Sequence, residues 1–318
     1  MDPQAQKLID AVAARMKKEL NKPFVVSIMG QTGVGKSSLL NALFNTNLET
    51  DAIRPCTKEI EKIVLKGKDD HELWFYDLPG IGESDDADDR YLGHYKEKLN
   101  ESDVVIWAIH ADNRSVSFDM DGLRKLLDSF DSSERVNFMS RITFVLNKVD
   151  LLSPSPWVLL KMHERRNLVF SKAYGVFAPS KETRGIIIQK EQYYQNVFLH
   201  PFKDLIVSQT YNDMEFDISN ARFHYDEYGV YYKGFLEKAE IEELKKEFPK
   251  YEPIFERLYD NYRVISCSAR FKFNLTQLMV IILNKLGEAA VGRFENFLTS
   301  DLLNRVDFER AKEYCNII

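Results

Sequence analysis

Apolar and polar positions along the chain fall into short strands alternating with longer helices. Pro23-Phe24-Val25-Val26-Ser27-Ile28-Met29 is an apolar run of strand length, and Ser38-Leu39-Leu40-Asn41-Ala42-Leu43-Phe44 beyond it has amphipathic helical spacing. Glu59–Lys66 and His71–Asp77 read as two strands joined by a turn at Gly67-Lys68-Asp69-Asp70. Asp103–Ile109, Ile142–Leu146 and Arg263–Cys267 are further buried strands, and Met120–Phe130 reads as a helix. Between the last two strands, Trp157–Tyr174 reads as helical and Glu215–Phe223 with Tyr228–Tyr232 as a hairpin around Tyr225-Asp226-Glu227. Glu237–Tyr262 reads as helical again, interrupted at Pro249. At the N-terminal end, Leu8, Val12, Met16 and Leu20 form a stripe over Gln4–Leu20, widened by Ile9 and Ala13, with Lys7, Arg15, Lys17 and Lys18 off it. Such a basic amphipathic helix packs on its own domain or lies on a membrane, and the first reading is favoured. Asn274–Leu286 and Ala289–Asn304 are apolar-faced helices divided at Gly287, suited to closing a domain or supporting a dimer. The pattern implies an α/β fold, a mostly parallel sheet with helices on both faces.

The turns between these elements carry the chemistry. Gly30-Gln31-Thr32-Gly33-Val34-Gly35-Lys36-Ser37, followed by Ser38, matches the phosphate-binding loop G-x-x-x-x-G-K-[ST] at every fixed position. Its strand–loop–helix setting is the one the motif needs. The glycines let backbone N–H groups turn inward around a phosphate, and the helix N-terminus adds partial positive charge. Lys36 is expected to reach the β- and γ-phosphates and the Ser37 hydroxyl to ligate Mg²⁺. Asp77-Leu78-Pro79-Gly80 places an acid at a strand end with glycine three residues on, so that Asp77 would hold Mg²⁺ through water and the Gly80 N–H would touch the γ-phosphate.

Asn147-Lys148-Val149-Asp150 follows another strand. A carboxylate at Asp150 suits the two N–H donors that guanine presents; adenine would leave it buried and unpaired. Lys148 would lay its stem along the base and Asn147 would tie this loop to the phosphate loop. After Arg263–Cys267, the short residues of Ser268-Ala269-Arg270 let the Ala269 N–H approach the guanine O6.

Composition narrows the setting. The 318 residues exceed the usual size of one domain, and 44% apolar with 29% charged is ordinary for a globular chain. A net charge of −6 gives no general drive toward nucleic acid or anionic membranes. Cys56, Cys267 and Cys315 form no C-x-x-C pair, which argues against zinc and disulfides and for a reducing compartment. His163, His200 and His224 lack ligand spacing as well. With no leader pattern and no apolar run of membrane-spanning length, a cytoplasmic location is expected.

In this order and at these strand ends, the motifs resemble the Era-like GTPases of the translation-factor class. Gly80-Ile81-Gly82-Glu83-Ser84 with Asp112-Asn113-Arg114 is similar to Era-like GTPases of bacterial mobile elements; Thr32–Ser38 with Asp77–Gly82 also resembles immunity-related GTPases. The resemblance implies a six-stranded P-loop sheet, GTP and GDP as ligands, Mg²⁺ held by Ser37, Thr57 and Asp77, and Thr57 as the switch threonine. It implies that Asn45–Thr57 and Leu78–Arg90 order and release with the nucleotide state. Arg54 resembles the arginine that heterotrimeric G-protein α subunits supply in cis, the bland alternative being a solvated arginine. Two departures matter for turnover. Ile81 stands where Ras-like GTPases place the water-orienting glutamine, and Gly33 stands where potassium-dependent relatives place Asn. The acidic run Asp85-Asp86-Ala87-Asp88-Asp89 is read as a solvated switch loop. Asn274 replaces a usual glycine, and asparagine tolerates positive φ. The expectation is a GTP-hydrolysing switch with slow intrinsic turnover, accelerated by self-association or a partner. The alternatives are an assembling dynamin-like or immunity-related GTPase at membranes, and a GTP-gated interaction module with negligible turnover.

The resemblance covers 23–150 and 263–286, expected as one GTPase domain, flanked by an N-terminal helix at 1–22 and a helical tail at 287–318. The 117 residues between Asp150 and Ser268 are too many for a bare loop, so an inserted α+β subdomain is expected at 151–262. It holds eleven of the fifteen tyrosines, which suits either a partner surface or internal packing, with packing favoured. A homodimer or an unidentified protein partner would dock there; no strong nucleic-acid signal accompanies it.

Overall fold

A computed structural model describes residues 22–44, 60–66, 72–78, 85–112, 116–153, 157–166, 169–212, 214–227 and 229–286, with the backbone alone for 85–92, 162–166 and 169–174. The expected helices over Gln4–Leu20 and Ala289–Asn304 lie outside these residues, as does the turn at Gly67–Asp70.

Six strands form the central sheet: β1 (Phe24–Met29), β2 (Glu61–Lys66), β3 (Glu72–Asp77), β4 (Val104–His110), β5 (Ile142–Asn147) and, much later, β11 (Ile265–Ser266). Their order is β11-β5-β4-β1-β3-β2, with only the β2–β3 pair antiparallel. The mixed, mostly parallel sheet expected from the sequence is therefore present. Central strands buried on both faces are apolar throughout, as β4 and β5 are, whereas edge strand β2 is half exposed.

Helices cover both faces. Against one lie α1 (Lys36–Phe44) and α8 (Leu275–Leu286), whose Leu39, Leu43, Leu278 and Ile282 meet Val26, Ile28, Ile106 and Val145. Against the other lie α2 (Asp85–Glu101), α3 (Val116–Ser129), α4 (Ser132–Arg141) and α5 (Lys181–Phe198), which enclose Val105, Trp107 and Phe144. Helix α4 was not anticipated, although its start is written locally: Asp131 accepts from Ser133 and Glu134 N–H while the Glu134 side chain returns to the Asp131 N–H, a capping box.

Three expectations are corrected. The acidic run at 85–89 is the first turn and a half of α2. Trp157–Tyr174 is not a helix but most of a hairpin, β6 (Trp157–Arg166) with β7 (Val169–Pro179), antiparallel with a bulge between His163 and Arg165. Its period is two: Trp157 is buried while Val158 and Leu160 are exposed. Third, Glu215–Arg222 is not strand. The hairpin there is confined to β9 (Phe223–Asp226) and β10 (Gly229–Lys233), with β8 (Val207–Thr210) beside β10.

That three-stranded sheet and the helices α6 (Lys238–Glu247) and α7 (Glu252–Asn261) surround their own cluster of Phe216, Val230, Tyr232, Ile241, Ile254 and Phe255. Helix α5, by contrast, is part of the main core. Its Tyr194 and Phe198 pack with Phe144, whose ring lies 5.1 Å from Phe198. Side chains of α5 also close the open edge of β11: Glu191 accepts from the Ser266 N–H and Gln195 from the Val264 N–H, both at 2.9 Å. Tyr194, Tyr232, Tyr251 and Tyr262 are all buried, so much of the tyrosine enrichment serves packing.

One half-buried charge carries a prediction. Lys285 on α8 is partly covered, its amino group over the Tyr262 ring at 3.8 Å and donating to the Ile142 carbonyl, and desolvation pushes its pKa well below the ordinary lysine value. The unfolded chain therefore binds a proton that the folded chain holds less tightly, and this group's contribution to stability rises with pH up to about 10.4, the unfolded value. Lys285→Met, which keeps the stem, is expected to raise stability at pH 7 by about 1–3 kcal/mol. The gain over wild type should shrink as pH approaches 10, measured by thermal melts of both proteins across that range.

Candidate functional site

Parallel strands end along one edge of the sheet, and the loops that leave them there converge. The loop from β1 into α1 has positive φ at Gly30, Gly33 and Gly35. At Gly30 the requirement is absolute, since a Cβ would stand 2.0 Å from the Ala108 carbonyl oxygen on β4. Lys36, buried at the start of α1, turns its ammonium back to the Gly30 and Gln31 carbonyls at 3.1 and 3.5 Å. Ser37 Oγ donates to Asp77 Oδ2 at 2.8 Å. Asp77 ends β3 beside Ile28 of β1 and is 1% exposed. A hydroxyl and a carboxylate side by side are hard oxygen donors, the set that suits Mg²⁺ completed by phosphate and water.

The second loop follows β5. Asn147 is buried and its Nδ2 donates to the Val34 and Gly35 carbonyls at 2.9 and 3.3 Å, tying the two loops together. Lys148 has φ 63°, and its Nζ donates to the Gly33 carbonyl at 2.6 Å. Asp150 sits in the turn Val149–Leu151, where Ser268 Oγ donates to its Oδ1 at 2.6 Å. The third loop follows β11. It is closed by reciprocal backbone bonds between Ser268 and Phe273 and by a bond from the Phe271 N–H to Ser268 Oγ. Asn274 has φ 56°, the backbone its replacement of glycine requires. Ala269 is half-buried and Arg270 exposed beside it. Among the sequence-derived candidates, Arg54, Thr57 and Gly80 lie outside the described residues, as do Ile81, Glu83 and Ser84. The others lie on these three loops and at the end of β3.

Sequence reasoning missed Asp119. This acid on α3 is 3% exposed and accepts from Gln31 Nε2 at 2.8 Å and Trp107 Nε1 at 3.4 Å. Its one sequence signal is a carboxylate on an otherwise apolar helical stripe. Asp119→Ala leaves the indole and the loop amide without their acceptor, at a cost of about 1–3 kcal/mol. The expected result in a thermal melt is that loss, with Gln31→Ala losing less because the indole bond survives. His110, at the end of β4, has its pKa lowered by burial and then by Lys148.

Residues 25–148 match the family described as 50S ribosome-binding GTPase. That stretch is an Era-like P-loop GTPase domain. Among curated proteins, the chain is 32% identical to the uncharacterized protein YkfA of Escherichia coli (strain K12) over 149 residues, 45% of this chain and 49% of that one. It is 34% identical to GTPase Era of Deinococcus deserti over 85 residues, 26% of this chain and 28% of that protein. Among solved structures, Era in complex with MgGDPNP and nucleotides 1506–1542 of 16S ribosomal RNA is similar at 26% identity and a TM-score of 0.34, over 42% of this chain and 43% of that one. The chain spans about half the length of YkfA. No described helix is long and apolar enough to cross a membrane.

Proposed function

We propose that the protein binds GTP and GDP with Mg²⁺ and hydrolyses GTP to GDP and phosphate, acting as a switch. The observation that carries this reading is the Asp150 carboxylate, tethered by Ser268 beside a phosphate loop that Asn147 locks in place. In this reading Gly30–Ser38 cradles the phosphates, and Lys36 leaves its carbonyl partners for the β- and γ-phosphate oxygens. Ser37 and Asp77, with Thr57, would hold Mg²⁺, which would neutralise charge on the phosphates when bound. Lys148 flanks the base, and the Ala269 N–H, next to Arg270, meets its O6. Gly80 would report the γ-phosphate, and Arg54 would offset charge as the terminal phosphate leaves. With Ile81 in the glutamine position, intrinsic turnover is slow, and self-association or a protein partner docking on 151–262 supplies acceleration.

Calorimetry of the intact chain with GTP, GDP and ATP in Mg²⁺, followed by single-turnover phosphate release, tests this. The expected outcome is GTP and GDP bound at least 100-fold more tightly than ATP, with slow release that quickens as protein concentration rises. Equal affinity for ATP removes the guanine reading; release no faster than in buffer removes the enzyme and leaves a binding module.

A further inference from the structure

The guanine-reading loop is held from outside the GTPase motifs. Phe271 and Phe273, which follow Ser268-Ala269-Arg270, both face the β6–β7 hairpin. Trp157, the first residue of β6, meets Phe271 edge-on at 5.2 Å and Phe273 edge-on at 5.0 Å. Phe177 of β7 stacks on Phe271 at 4.2 Å and 19°. Trp157, Phe177 and Phe271 are each at most 5% exposed. The contact runs on to the site in two further bonds: Phe271 N–H to Ser268 Oγ at 3.0 Å, and Ser268 Oγ to Asp150 at 2.6 Å.

We propose that Trp157 and Phe177 are positioning residues for base recognition, clamping the loop so that Ser268 aims Asp150 and the Ala269 N–H faces the base. The hairpin pairs with no other strand among the described residues, and it meets this loop through its side chains. Aromatic pairs of this kind contribute about 0.5–1.5 kcal/mol each beyond their buried area. Three of them on one short loop suffice to set its conformation. The clamp works by shape: the buried Trp157 indole N–H has no acceptor among the described residues, so a phenylalanine there loses nothing polar. The phosphate loop is anchored separately, through Asn147 and Gly30, and does not depend on the hairpin.

This inference rests on the guanine-nucleotide reading above, and its test separates the two. In nucleotide-free protein, the Ser268, Phe271 and Phe273 amides should exchange with solvent at least tenfold faster in Trp157→Ala than in wild type. Amides of α1 should be unchanged. In calorimetry, the same variant should lose at least tenfold in GDP affinity while ATP, held by the phosphate loop alone, changes less than twofold. Trp157→Phe should restore both values. Should Trp157→Ala fail to fold, Phe177→Leu carries the same comparison. Equal losses for GDP and ATP, or unaltered exchange in the loop, overturn the proposal. A wild type without preference for GDP overturns the guanine reading instead, and loop exchange still tells whether the clamp exists.

Discussion

GTP affinity is expected to fall about 100- to 1,000-fold when Asp150 is replaced by Asn, with the weak affinity for ATP unchanged. Removing one partner of a buried, hydrogen-bonded charge pair costs about 2–5 kcal/mol, and each 1.4 kcal/mol is tenfold in affinity. The guanine N1–H and N2–H₂ would both donate to the carboxylate; an amide offers one acceptor and turns its NH₂ against a donor. The same NH₂ suits the carbonyl that xanthine carries at that carbon, so xanthosine triphosphate should gain where GTP loses. Ser268, which donates to Asp150 Oδ1, can bond the amide oxygen equally well, so the loop should keep its shape. Titration calorimetry with the three nucleotides checks this, and an unaltered GTP affinity in Asp150→Asn would remove Asp150 from base recognition.

What could be read in advance follows from how local the physics is. The phosphate loop, Asp77 and Asn147–Asp150 were legible because each motif is contiguous and sits where an apolar strand ends. The mostly parallel sheet could be anticipated because central parallel strands are apolar on both faces. The β6–β7 hairpin was not legible: WVLL mixes exposed and buried apolar residues, and a short apolar run suits either period. What decides in favour of strand is the aromatic partner 114 residues away, Phe271 against Trp157, which no local pattern contains. Asp119 was hidden for the same reason. Its partners, Gln31 and Trp107, come from two other elements, and only the fold brings them together.

Of the 117 residues between the two motifs, those of α5 pack on Phe144 and hydrogen-bond the edge of β11. Glu191 illustrates the coupling. It is half-buried, its pKa is raised by desolvation, and its partner is a backbone N–H one residue before Cys267. The intervening region thus holds this part of the sheet twice, through Glu191 and Gln195 at β11 and through Trp157 and Phe177 on the loop after it.

The phosphate loop offers the largest effect on stability, and it distinguishes two glycines that sequence alone treats alike. Gly30→Ala is expected to cost about 4–5 kcal/mol, the range of severe backbone and packing defects, and to abolish nucleotide binding. The new Cβ would lie 2.0 Å from the Ala108 oxygen and 3.0 Å from its carbonyl carbon, and both belong to the backbone of a central strand that cannot retreat. Either β1 separates from β4 or the loop leaves its place. At Gly33 a Cβ meets nothing within 4 Å, so Gly33→Ala carries only the strain of φ +81°, about 1–2 kcal/mol. At about 2–4 °C per kcal/mol for domains of 150–250 residues, the first variant should melt about 8–20 °C below wild type and the second only a few degrees below. Differential scanning calorimetry of the two variants side by side decides the matter. If both melt within a few degrees of wild type, Gly30 does not lie against β4, and the geometry assigned to the phosphate loop is wrong.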